Sequence, residues 1–150
     1  MSDLTPHQEA MKSWETNAEF WDNGIGEQGN IYWKVLQLPT LRRMIDVRPG
    51  SKALDLATGN GLAARWLASE GASVLATDGS AEMLERAKLR HAATAYGENI
   101  SYRRLDVTEA ADFEFLKRDP ATVSWHTTIL PQLLYRWPLM LRRPAALTSS

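Results

Sequence analysis

The chain reads as an α/β domain built on parallel strands, with a helical N-terminal segment before it and an irregular tail after it. Three observations predict this. Residues 53–78, ALDLATGNGLAARWLASEGASVLATD, run from an apolar strand through a glycine turn and a short helix to a second strand that ends on a carboxylate. After Asp78 the pattern repeats: Gly79-Ser80 turns the chain, a helix follows, and Ile100 to Leu105 reads as a third strand. Strands alternating with helices favour a parallel sheet, and each strand carries or ends near an acid: Asp55, Asp78 and Asp106. In an open parallel sheet, ligands sit outside the carboxyl ends of the strands, so these three positions should converge on one crevice.

Taken in order, Thr5 to Asp22 has the marks of an amphipathic helix. Thr5 can cap, Pro6 suits the first turn, and Gln8 stands where a capping-box partner belongs. Met11, Trp14, Ala18 and Trp21 fall on one stripe, suited to packing on the domain or to walling a substrate pocket as a lid. Residues 23–30, NGIGEQGN, hold three glycines and read as a loop. Ile31 to Ile45 resumes a helical pattern, with Pro39 starting a second segment. Val35, Leu36, Leu38, Leu41, Met44 and Ile45, with Tyr32 and Trp33, read as core. Arg48-Pro49-Gly50-Ser51 is the turn into the first strand.

In the first strand unit, Thr58-Gly59-Asn60-Gly61 is small enough for a ligand to lie on the backbone, and the helix behind it directs its free N–H groups there. Asp78 follows Gly59 by about twenty residues, the spacing at which a second-strand carboxylate reaches a ribose diol. Ser80 can cap a helix running to about Ala95, with Met83, Leu84 and Ala87 toward the sheet. The third strand is polar enough to suit a sheet edge.

Composition removes several function classes. Lysine and arginine number 17 against 18 acids, which favours no polyanionic partner such as nucleic acid. With no cysteine there is no disulfide framework, thiolate metal site or cysteine nucleophile, and a cytoplasmic setting is expected. No run approaches membrane-spanning length, and the first residues lack a signal or transit pattern.

The motifs resemble those of class I S-adenosylmethionine-dependent methyltransferases. Leu54 to Gly61, LDLATGNG, is similar to that family's first motif, with Ala57 where a glycine often stands. Val74 to Leu84 is similar to the second strand with its ribose-binding acid, and Arg103 to Glu109, RRLDVTE, to the third motif. Phe20 to Gly50 resembles the lid of small-molecule enzymes of quinone or secondary-metabolite biosynthesis. The resemblance covers about Phe20 to Leu116.

It implies the N-terminal half of a Rossmann-like methyltransferase fold, strands in the order 3-2-1 with flanking helices. Residues 1–50 would form a helical lid, 51–116 a partial cofactor-binding domain and 117–150 a tail outside the family. S-adenosylmethionine is the implied cofactor and a small molecule the implied methyl acceptor. Gly59 and Gly61, with Ala57, would admit the homocysteine part, and Asp55 would orient that loop or reach the amino group through water. Asp78, followed by Gly79, would accept from the ribose, while Asp106, followed by Val107, would meet the adenine amino group. No catalytic base can be assigned: His7, His91 and His126 read as solvent-facing or structural, and no metal site is indicated.

The chain departs from the family after Leu116. A seven-stranded sheet places a fourth strand beside the first, and the prolines of KRDPATVSWHTTILPQLLYRWPLMLRRPAALTSS give no evident continuation. Truncation by frameshift, mis-splicing or gene decay is the economical expectation, with Thr122 to Ile129 as a candidate substitute strand at period two. Two alternatives therefore stand beside an active methyltransferase. One is an inactive cofactor-binding remnant, or a subunit that self- or hetero-associates through an exposed sheet edge. The other is a fragment of an NAD-dependent oxidoreductase, since Gly59 to Ala64 also fits the looser dinucleotide fingerprint.

Overall fold

The structure is a computed structural model that describes residues 3–92 and 94–115. The candidate strand Thr122 to Ile129, His126 and the tail 117–150 lie outside the described residues.

Helix α1 (Pro6–Ile25) begins as its sequence demands: the Thr5 hydroxyl accepts from the Gln8 N–H, and the Gln8 side chain accepts from the Thr5 N–H at 2.8 Å. The helix runs three residues beyond Asp22, because Gly24 is tolerated within a helix and the first residue to leave helical geometry is Gly26, at φ 74°. Only the rest of the expected loop, from Gly26 onward, is irregular. On the aromatic stripe Ala18 is buried, Met11 and Trp21 are half-buried and Trp14 is exposed. Trp14 instead meets Trp21, with ring centroids 5.7 Å apart.

Next comes a π-helical turn (Trp33–Gln37), which passes into α2 (Leu38–Met44) with Pro39 in its first turn. Trp33 and Leu41 enter the core, while Leu38 and Ile45 pack on its margin. Tyr32, Val35, Leu36 and Met44 correct the sequence reading: all are exposed, Tyr32 by 61%. A segment of helical type has one inward face here; Trp33 with Leu41 fills it, Leu38 and Ile45 border it, and the other four are left exposed.

Strands β1 (Lys52–Leu56), β2 (Ser73–Asp78) and β3 (Ile100–Arg104) form a parallel sheet in spatial order β1-β2-β3. The register pairs Asp55 with Ala76 and Asp78 with Arg104. Among the described residues β1 and β3 are the two edges. Helix α3 (Leu62–Ser69) links β1 to β2 and is buried through Leu62, Ala63, Ala64, Trp66, Leu67 and Ala68. Helix α4 (Ala81–His91) links β2 to β3 and buries Met83, Leu84 and Ala87, as expected. It ends four residues before Ala95, where the chain turns toward Gly97 and the third strand. Ala53, Val74, Ala76 and Ile100 share one core cluster with α3, Trp33 and Leu41.

α1 packs along α4 and crosses the carboxyl ends of β2 and β3. No helix among the described residues is long and apolar enough to cross a membrane.

Candidate functional site

The site begins with the turn between β1 and α3. Ala57, Gly59 and Gly61 all have positive φ, at 57°, 57° and 83°. Glycine adopts this conformation without cost, but an L side chain does not, so Ala57 carries local strain at the position where related motifs often hold glycine. The turn is pinned to the sheet, because the Thr58 N–H donates to the Thr77 carbonyl at 2.8 Å and the Gly61 N–H to the Thr58 carbonyl at 2.9 Å. A Cβ built on Gly59 would meet nothing within 4 Å, so that residue borders open space.

Two carboxylates lie against this turn. Asp55 is 1% exposed, and its Oδ2 accepts from the Thr58 hydroxyl at 2.7 Å. Burial pushes its carboxyl up to about 6, the Thr58 hydroxyl opposes that rise, and the neighbouring Asp78 adds to it. Asp78 ends β2. Its Oδ2 accepts from the Gly59 N–H and its Oδ1 from the Ser80 N–H, both at 2.9 Å. Burial raises its carboxyl also, against the pull of these N–H donors.

The third acid lies elsewhere. Asp106 follows β3, with its Oδ1 bound to the Thr108 N–H and hydroxyl at 2.9 and 2.7 Å and its Oδ2 2.6 Å from His7 Nε2 on α1. Burial opposes ionisation here as well, but the Thr108 donors and His7 outweigh it and hold the carboxyl below its ordinary value. Val107 is half-buried in the same turn. Gly79 stands between the two ends: a Cβ there would come within 2.8 Å of Met11 Cε, so α1 lies directly over it. The structure thus gathers Asp55, Ala57, Gly59, Gly61 and Asp78 around one turn, and ties Asp106 to α1.

Several contributors were not singled out by sequence. The Glu15 carboxylate reaches from α1 to the start of α4 and accepts from the Ala81 and Glu82 N–H groups at 2.8 and 3.0 Å. Asp22, buried on α1, accepts from the Asn60 side-chain amide at 3.2 Å and pairs with Arg90 and Arg86 of α4. Asn60 also donates to the Gly26 carbonyl, and Arg65 to the Glu27 carbonyl. An acid within an apolar stripe, as Asp22 is, was the available signal. His91 is buried, which removes the solvent-facing alternative for it. No cluster of three or more metal-ligating residues occurs among the described residues.

A glycine turn backed by a buried acid, with a second acid at the end of the next strand, can hold a polar cofactor by its backbone and its hydroxyls. Comparisons with known proteins bear on which. No curated protein matches the chain. An S-adenosylmethionine-dependent methyltransferase from Mesorhizobium loti is 38% identical over 56% of this chain and 35% of its own, with a TM-score of 0.43. The DhpI–SAM–HEP complex is 21% identical, covering 85% of this chain and 65% of its own, with a TM-score of 0.55. Phosphoethanolamine N-methyltransferase 1 from Haemonchus contortus, in complex with phosphoethanolamine and S-adenosylhomocysteine, is 19% identical over 69% and 22%, with a TM-score of 0.52. The last two share the fold. The chain spans about a third of the length of the Mesorhizobium structure and less than two thirds of the other two. The family described as "Methyltransferase domain" matches residues 53–133, more than half of the chain and past Leu116. Its matched span includes the glycine turn, both acids beside it and the third strand, and on that ground this chain belongs to the methyltransferase-domain family.

Proposed function

We propose that the chain binds S-adenosylmethionine and takes part in methyl transfer to a small molecule, in the cytoplasm and in secondary metabolism. The observation that carries the cofactor is Asp55, buried beneath the glycine turn that leads into α3 and accepting from the Thr58 hydroxyl of that turn. The N-terminus of α3 is where a dinucleotide would lodge its pyrophosphate. An internal carboxylate there neutralises the positive end of the helix, disfavours a phosphate and favours a ligand bearing positive charge. A sulfonium and an ammonium, with no phosphate, fit that field better than NAD does.

When bound, S-adenosylmethionine supplies a methyl group already activated by the sulfonium. The protein's part is then positioning and exclusion of water. Under this reading Ala57, Gly59 and Gly61 line the homocysteine part, Asp55 sets the charge, Asp78 and Gly79 border the ribose, and Asp106 and Val107 border the adenine. Asp78 accepts from the N–H groups of Gly59 and Ser80, one on each carboxylate oxygen. A carboxylate has about four acceptor positions. With two of them taken by Gly59 and Ser80, about two remain for the two ribose hydroxyls, and the open space beside Gly59 leaves room for the ligand. Residues 1–50 serve as the lid and 51–116 as the cofactor-binding part. The small-molecule acceptor is supported by the likeness of Phe20 to Gly50 to lids of such enzymes.

Calorimetric titration with S-adenosylhomocysteine, and separately with NAD, tests the reading: the first should bind and the second should not. Asp78→Ala should weaken binding of S-adenosylhomocysteine by roughly 1–3 kcal/mol, the range for charge-assisted hydrogen bonds. Unchanged affinity would take the ribose away from Asp78. A second reading, association through the sheet edge, is favoured by β1, which pairs only with β2 among the described residues. Sedimentation of the purified chain over a concentration series tests it; a monomer throughout excludes self-association.

A further inference from the structure

We propose that His91 is a positioning residue for the glycine turn: its Nε2–H, donated to the Asn60 carbonyl, holds Gly59 to Gly61 in the shape that receives the cofactor. The inference rests on the cofactor reading above.

His91 is the last residue of α4 and is 1% exposed, with Nε2 3.0 Å from the Asn60 carbonyl oxygen. A carbonyl only accepts, so Nε2 carries the proton. Nδ1 is buried and has no hydrogen-bond partner among the described residues. A proton on it would be an unsatisfied buried donor, so the ring is neutral and in the Nε2–H tautomer. Burial and the facing cations Arg65 of α3 and Arg90 of α4 hold the imidazole below its ordinary value, in keeping with that state. Asp22 of α1, paired with Arg90, is the acid on the third element meeting here.

The ring and the turn are shaped for each other. A Cβ on Gly61 would stand 2.8 Å from His91 Nε2, so the imidazole fills the space that only glycine leaves. Asn60 is then held from two sides, its carbonyl by α4 and its side-chain amide by Asp22 Oδ1 at 3.2 Å and the Gly26 carbonyl at 3.3 Å. The glycines on either side of it have positive φ and no side chain to restrain them. Without the imidazole donor, the Asn60 carbonyl is a buried acceptor lacking its partner, and the turn is free to rotate about Gly59 and Gly61.

The test is titration of S-adenosylhomocysteine into wild type, His91→Gln and His91→Met, alongside thermal denaturation. Gln keeps a donor near the Nε2 position and Met keeps the bulk without one. The expected result is that Met binds about five- to tenfold more weakly than wild type while Gln stays within about twofold, the worth of one buried hydrogen bond, although both lose comparable thermal stability. Equal affinities for Gln and Met, whether strong or weak, would overturn the proposal and leave His91 a packing residue. A wild type that binds no S-adenosylhomocysteine removes the cofactor reading itself. Should Met not fold, ¹⁵N NMR of the wild-type imidazole replaces it. An Nε2-protonated ring whose resonances shift on saturation supports the role, and resonances that do not move overturn it.

Discussion

The two ends of the crevice are built from the same residue types and behave in opposite ways. At the β1–β2 end, Asp55 and Asp78 are drawn under a turn only a few residues away in the chain or on the neighbouring strand, and burial raises both carboxyls. At the β3 end, Asp106 is partly exposed and its partners include His7, 99 residues away; its carboxyl is held low. The inner end is a permanent part of the fold that stores electrostatic cost. The outer end is a surface contact between a helix and a turn. An acid in a strand motif is thus not one kind of object, and its environment decides whether it works against the fold or for it.

The contrast can be broken by titrating the fold. Between pH 3.8, the ordinary value for the group, and about 6, folded Asp55 keeps a proton that the unfolded chain gives up. Its contribution to stability is therefore lost as pH rises through that window, amounting to about 2–3 kcal/mol by linkage. Asp55→Asn should flatten the dependence between pH 4 and 6 by about that amount, read from urea midpoints at several pH values. An unaltered slope would place the cost on another group. The second test concerns strain at the inner end: Ala57→Gly should raise stability by about 1 kcal/mol, the penalty for an L residue in the left-handed region less the entropy of glycine. A lower melting temperature would show that the methyl group packs rather than strains. The smallest effect belongs to the outer end, where His7→Ala should cost less than about 0.5 kcal/mol at neutral pH, since the pair is partly exposed. A loss of several times that would erase the difference between the two ends.

What the sequence made legible follows the distance over which each cause acts. The cap at Thr5 and Gln8, the glycine turn, the strands and the capped start of α4 at Ser80 each depend on neighbours within a few residues, and each is found where local rules put it. Asp78 likewise closes β2 where the strand pattern puts it. Tyr32, Val35, Leu36 and Met44 were misread because apolar character says that a residue favours burial, not that a face is available to bury it. Asp22 and Glu15 were passed over, and His91 was left between solvent-facing and structural, because their partners lie on other elements, at separations of 66 residues for Glu15 to Ala81 and 68 for Asp22 to Arg90. The stop at Gly26 rather than Asp22 shows the limit of the loop rule, for a glycine-rich stretch can carry the last turn of a helix before a positive φ ends it.

The ties of α1 also set an order of assembly. This helix precedes the sheet in the chain, yet Asp22 meets Asn60 across 38 residues, Glu15 meets Ala81 across 66 and His7 meets Asp106 across 99. Contacts of such separation form late, because the intervening chain must be ordered first. While translation proceeds, α1 therefore has its Trp14, Phe20 and Trp21 side chains exposed, and it docks from its Asp22 end toward its His7 end as the later elements appear. Of these three contacts the one at Asp106 spans the most chain, so α1 and the outer end of the crevice are completed together.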